Sequence, residues 1–118
     1  MEAKATGKYI KGAPQKARLV IDVIRGKSVT EALAYLRFSK KRAARPIAKV
    51  LNSAVANAVH KEPHLDEEEL FVKECSVDIG PTKWRRRLRP APMGRAHRQM
   101  RRQSHIMICV SNGESEEE

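Results

Sequence analysis

The stretch LFVKECSVDIGPTKWRRRLRPAPMGRAHRQMRRQSHIMICVS, Leu70 to Ser111, decides the fold. Its two ends alternate with period two, and its middle does not. From Leu70 to Ile79, one face carries Phe71, Cys75, Val77 and Ile79, with Lys73 as a break; the other carries Leu70, Val72, Glu74, Ser76 and Asp78. From Ser104 to Ser111, Ile106, Ile108 and Val110 point inward, opposite His105, Met107, Cys109 and Ser111. Successive side chains of an extended chain point to opposite faces, so both ends read as strands. Gly80-Pro81 punctuates the first.

The middle, KWRRRLRPAPMGRAHRQMRR over residues 83–102, has nine Lys or Arg in twenty. It offers little to bury: Trp84, Leu88, two methionines and small residues. Pro90, Pro92 and Gly94 mark a turn near its centre. Flanked by two strands ready to pair, it predicts a long hairpin of two ~12-residue arms, each reaching ~40 Å at ~3.4 Å per residue. A two-stranded ribbon without an apolar face is marginal in water, and its like charges repel. A partner must order it. Arg presents a planar fork of donors that matches phosphate and stacks on bases, and Trp84 can stack on a base or pack on the hairpin. The plainer alternative is a disordered basic loop that binds any polyanion. Basic localisation signals have the same composition, but they rarely sit between strands.

Working outward, helix signals precede the strands. Ala3 to Lys11 reads as a short strand or an extended basic arm. Pro14 suits a first helical turn, Ala17, Val20, Ile21 and Ile24 recur at helical spacing, and Gly26 fits a C-terminal cap. Ser28-Val29-Thr30-Glu31 fits a capping box for a short helix with Val29, Ala32, Leu33 and Leu36 buried. Ser39 is expected to cap a third helix. Its apolar face is Ala43, Ala44, Ile47, Val50, Leu51, Ala54, Val55 and Ala58. Pro46 kinks that helix or ends its first turn, and the helix should stop near His60. The fold class is therefore α+β: three helices on a small antiparallel sheet with a long protruding β-hairpin. We expect a single domain over residues 1–113, the hairpin extension at about 80–103, and an acidic, disordered tail at 114–118.

Charge points to the partner. The chain has 118 residues, 24 Lys and Arg, 14 acids and a net charge of +10. Residues 1–61 carry net +11, 62–78 net −6, 79–113 net +9, and 114–118 four Glu. Two basic surfaces flank an acidic loop. Such an excess calls for a polyanion, nucleic acid first and an anionic membrane second. No apolar run approaches the ~20 residues of a membrane span, Met1 to Gly12 lacks a signal-peptide pattern, and a ribbon without an apolar face suits no membrane surface. Cys75 and Cys109 lack metal-ligand spacing and read as reduced thiols of a cytoplasmic protein.

Enzyme chemistry finds little footing. Ser104 and His105 are neighbours in a strand and face apart. His60 and His64 are separated by Pro63. Asp66 to Glu69 reads as a solvated acidic loop without calcium-loop spacing, and no glycine-rich phosphate loop is present. We expect no catalytic, metal or cofactor site and no small-molecule substrate. Lys40, Lys41, Arg42 and Arg45 crowd the start of the third helix, where cations oppose the helix dipole; RNA phosphate is a reason to keep them there. Lys8, Lys11, Lys16, Arg18, Arg25 and Lys27 read the same way, as do the polar Asn52 and Asn57 on an otherwise apolar helix. A solvated face is the plain alternative for each.

The stretches APQKARLVIDVIRGK, KKRAARPIAKVLNSAVANA and VDIGPTKWRRRLRPAPMGRAHRQMRRQSHI together resemble the bacterial family of large-subunit ribosomal protein number twenty-two, over about residues 8 to 111. RPAPMGRA and the closing SHI are its most specific parts. The resemblance implies a small α+β body near the mouth of the polypeptide exit tunnel and a hairpin lining the tunnel wall. It implies binding to large-subunit ribosomal RNA, a part in assembly, and contact with neighbouring ribosomal proteins and the nascent polypeptide. In the family, altered hairpin tips change responses to macrolides and to nascent-chain arrest signals.

Carried onto this chain, the RNA-binding residues are Lys8, Lys11, Lys16, Arg18, Arg25 and Lys27, then Lys40, Lys41, Arg42, Lys49, Asn52 and Asn57. In and beside the hairpin they are Lys83, Trp84, Arg85, Arg86, Arg87, Arg89, Arg95, His97, Arg98, Arg101, Arg102 and His105. The tip is Arg89, Pro90, Ala91, Pro92, Met93, Gly94 and Arg95. Three departures stand out. TKWRRRLRP is two residues longer than the family pattern, which preserves the alternation of faces and leaves the tip register open. Pro46 replaces an ordinary helix former, and the Glu-rich tail is an extension. An architectural DNA-binding protein of the nucleoid, which shares the charge and the basic hairpin, is the competing reading.

Overall fold

A computed structural model describes residues 1–80, 86–90, 92–94, 96–100 and 103–112. Expectations for Lys83, Trp84, Arg85, Ala91, Arg95, Arg101, Arg102 and the 114–118 tail lie outside the described residues, as do those for the side chains of Arg86, Arg87, Arg89, Pro90, Pro92, His97 and Arg98. Strand β1 (Glu2–Lys11) leads into helices α1 (Pro14–Ile24), α2 (Val29–Phe38) and α3 (Ala44–Lys61). A 3₁₀ turn at Glu67–Glu69 precedes β2 (Phe71–Ile79). Strands β3 (Arg86–Pro90) and β4 (Ala96–Met100) form a ribbon, and β5 (Gln103–Ser111) closes the body. The fold is α+β: three helices on an antiparallel sheet ordered β1-β5-β2, with the separate two-stranded ribbon β3-β4. The basic segment at Ala3–Lys11, left between strand and arm by its sequence, is a strand paired to β5.

The helices pack on one face of the sheet, α3 over β1 and β5, and α1 over β2. The core holds Val20, Ile21 and Ile24 of α1, Ile47, Leu51 and Ala54 of α3, and Val72, Ile106, Ile108 and Val110 of the sheet. β1 presents Ala3, Ala5 and Gly7 to this layer, and their small size lets α3 approach closely. A Cβ at Gly7 would lie 2.7 Å from Val50 Cγ2 and 2.7 Å from Ile10 Cδ1.

The local signals set the helix ends. Pro14 opens α1. Gly26 adopts φ +81° just past its end, a left-handed conformation that glycine accepts without penalty. The Ser28 hydroxyl accepts the Glu31 backbone N–H at 3.3 Å, as a capping residue should. The linker between α1 and α2 then pairs with β2, through Val29 N–H to the Leu70 carbonyl and Val72 N–H to the Lys27 carbonyl.

Three expectations are corrected. Ser39 does not cap α3. It ends α2, and its hydroxyl accepts the Lys41 N–H at 3.3 Å. The third helix starts five residues later, which places Pro46 in its first turn, where a missing N–H costs no intrahelical bond. In β2 the faces change phase: Val72 is buried, and so are Cys75 and Val77. A bulge between Val72 and Glu74 inserts one residue, which moves every later side chain to the other face. Phe71 therefore does not share a face with Cys75. Ile79, the last residue of β2, is 68% exposed.

The body is extended by the ribbon. The radius of gyration is 17.6 Å, against about 13.5 Å for a compact chain of this length.

Candidate nucleic-acid interface

Two turns come together on one side of the body. The turn from β1 into α1 carries Lys11 and Lys16, and the Ser104 hydroxyl at the root of β5 donates to the Gly12 carbonyl at 3.1 Å, pinning it. Lys11, Lys16 and Arg42 line a hollow floored by Ile10, Ala17 and Ile106. The turn from α2 into α3 forms a second hollow, lined by Arg37, Ser39, Lys40, Lys41, Arg42 and Arg45. Arg42 belongs to both. Neither hollow contains a carboxylate. Sharing Arg42, the two make one continuous basic face, open to solvent and suited to phosphates from successive nucleotides.

Lys8, Lys11, Lys16, Lys40, Lys41, Arg42 and Lys49 are exposed, as is Asn52. No hydrogen bond or ion pair among the described residues uses the side chains of these eight residues. Their donors are available to a partner.

Other expected RNA contacts have work inside the body. Arg18 Nη2 donates to the Val77 carbonyl at 3.0 Å, tying α1 to β2. Arg25 Nη2 donates to the Cys75 carbonyl at 3.1 Å, and its Nη1 pairs with Asp22 at 2.8 Å. Asn57 Nδ2 donates to the Lys4 carbonyl at 3.0 Å, tying α3 to β1. Lys27 lies 5.7 Å from the Tyr35 ring centroid, a cation–π contact. His105 Nδ1 accepts the Tyr9 N–H at 3.1 Å. There β1 bulges between Gly7 and Ile10, and Tyr9 adopts φ +58°. These groups fix the strands and helices that present the free cations.

Cys75 and Cys109 are both free and buried. Burial is the main force pushing each thiol above its ordinary range, so both stay protonated and inert at neutral pH. Among the described residues no group of three or more His, Cys, Asp or Glu comes together to hold a metal, and no helix is long and apolar enough to cross a membrane.

The ribbon pairs Arg86 with Met100, Leu88 with Arg98 and Pro90 with Ala96, which centres it on Met93. Met93 (φ +63°) and Gly94 (φ +71°) turn the chain in two left-handed steps. From the Ile79–Ser104 pair to the Arg86–Met100 pair, the outgoing arm advances seven residues and the returning arm four. The arms are therefore unequal, with the extra length on the outgoing side.

Residues 5–111 match the family described as ribosomal protein L22p/L17e. The chain belongs to that family. Relatives carrying the name large ribosomal subunit protein uL22 are about half identical over nearly the whole chain. The one from Syntrophus aciditrophicus is 53% identical over 112 residues, 93% of this chain and 97% of its own. That from Solibacter usitatus is 49% identical over 115 residues, 98% of this chain and 100% of its own. That from Deinococcus radiodurans is 52% identical over 107 residues, 91% of this chain and 78% of its own. The L22p/L17e proteins are structural constituents of ribosomes rather than enzymes.

Sequence reasoning missed Arg37, which lines the second hollow, and its chain neighbour Phe38, which is exposed beside it. The run Arg37-Phe38-Ser39-Lys40-Lys41-Arg42 carried the signal, an aromatic set among cations.

Proposed function

We propose that this chain is a structural constituent of the large ribosomal subunit in the cytoplasm. It binds large-subunit ribosomal RNA, aids its assembly, touches neighbouring ribosomal proteins, and lines the polypeptide exit tunnel with its hairpin. The observation that supports the RNA reading best is the continuous basic face, in which Arg42 joins two carboxylate-free hollows. Phosphate contacts there give affinity and register, with little reading of sequence. Lys8, Lys11, Lys16, Lys40, Lys41, Arg42, Lys49 and Asn52 make these contacts directly. Arg18, Arg25, Lys27, Asn57 and His105 hold the frame and meet RNA with what donors remain.

The ribbon works by insertion. Among the described residues its strands pair only with each other, and a ribbon of this kind is marginal alone. RNA wrapped around the cations of residues 83–102 removes their repulsion, and the ordering cost falls at assembly. The tip, residues 89–95, then lies where the nascent polypeptide passes.

Sedimentation of a lysate through a sucrose gradient after a high-salt wash tests this. Co-migration with large subunits and whole ribosomes is the expected result. Release to the top of the gradient, or departure with DNA, refutes it and favours the nucleoid alternative.

A further inference from the structure

Phe38 ends α2 and is 78% exposed. Nothing in the body's packing requires a large aromatic ring at this point. The Arg37 guanidinium lies over the ring, 5.7 Å from its centroid. Immediately beyond, the hydrogen bond from Lys41 N–H to the Ser39 hydroxyl sets the turn, and Lys40, Lys41, Arg42 and Arg45 surround the hollow with no carboxylate among them. The ring is backed by Arg37, and Arg37 and Ser39, on either side of Phe38 in the chain, both line the basic hollow. Ring and hollow together offer the two elements that hold single-stranded nucleic acid, a stacking platform and an electrostatic groove.

We infer that Phe38 and the adjoining hollow hold one unpaired nucleotide of RNA, its base stacked on the Phe38 ring and its phosphates held by Lys40, Lys41 and Arg42. This rests on the RNA-binding reading above and adds to it a site that needs an extruded base. The chemistry favours this occupant over others. A duplex keeps its base faces within its own stack, whereas RNA loops and bulges splay bases onto aromatic side chains. A protein partner with an apolar patch would bury the surrounding cations without counter-charge, which is strongly unfavourable for an isolated ion. A guanidinium over one face of the ring leaves the opposite face for the base.

The test uses the full chain, a short single-stranded adenylate RNA, and an abasic strand with the same number of phosphates, at matched salt. Phe38→Ala should weaken binding of the adenylate strand roughly tenfold and leave the abasic strand unchanged. Phe38→Trp should retain the affinity, and Phe38→Leu should behave as Phe38→Ala, because leucine supplies apolar area without a π face. Circular dichroism should superimpose for all variants. Equal binding of both strands by wild type and Phe38→Ala, or full affinity in Phe38→Leu, overturns the stacking site and leaves the RNA reading standing. Failure of the wild-type chain to bind either strand overturns both.

Discussion

Arg25 and Arg42 look alike in the sequence and do different work in the structure, so neutralising each separates architecture from binding. Arg25→Gln removes a charge-assisted bond to the Cys75 carbonyl at 3.1 Å and a surface ion pair with Asp22. A hydrogen bond to a charged group contributes about 1.5–3 kcal/mol, and the surface pair adds about 0–1. With the Arg25 side chain 49% exposed, solvent replaces much of this, and a net loss of about 1 kcal/mol remains. In a chain of this size that lowers Tm by about 4 °C. Arg42→Gln breaks no side-chain hydrogen bond or ion pair among the described residues, so stability should stay within about 0.5 kcal/mol. It does remove the cation shared by both hollows. If Arg42 neutralises one phosphate, the slope of log K against log salt should become shallower by about 0.7–0.9. The assays are thermal unfolding by circular dichroism and filter binding to large-subunit RNA across a salt series. A Tm loss in Arg42→Gln equal to that in Arg25→Gln, or a slope change confined to Arg25→Gln, would refute the division between framing and contacting cations.

Gly7→Val should destabilise the body by about 1–3 kcal/mol in urea unfolding, because the added methyls meet Val50 and Ile10 in a packed layer. At Tyr9, held at φ +58°, Gly should be tolerated and Val should cost at least about 1 kcal/mol more than Gly, since a β-branched residue resists the left-handed region; equal stabilities would show that the bulge relaxes. Burial raises both thiols, so their contribution to stability is fully present below the ordinary thiol pKa of about 8.5 and is lost as pH climbs through the raised folded values. Tm should therefore fall at alkaline pH, less steeply in Cys75→Ala. Replacing residues 83–102 with a short turn should leave the circular dichroism of the body intact while impairing assembly of large subunits; loss of the helical signal would show that the ribbon is part of the core.

The helices and the two long strands were legible because each carries its own period and its own punctuation: Pro14, Gly26, Ser28 and Gly80 act within a few residues of themselves. The phase change in β2 was not legible. A bulge is set by pairing with β5 across the sheet, and Lys73 showed only that something breaks there. The start of α3 was misplaced because Ser39 is a good capping residue in isolation, while the turn through Lys41 to Ala43 takes its hydroxyl. At the basic face, composition found the cations but could not sort them. The partners of Arg18, Arg25 and Asn57 lie 59, 50 and 53 residues away in the chain, and only tertiary structure brings them near. Arg42 was legible as a cation; its place between two hollows was not.

The sheet order β1-β5-β2 puts the final strand in the middle. The backbones of β1 and β2 do not pair; each is joined to the sheet through residues 103–111, and a Lys73–Glu2 side-chain ion pair bridges the two. During synthesis, which proceeds from the N-terminus, the helices can form early, but no pair of body strands can close until β5 has emerged. Its pairing with β1 then closes a loop of about a hundred residues, the slow, non-local kind of contact that sets folding rates. The residues of the hairpin are thus already synthesised, and free to meet RNA, before the body that carries them can lock.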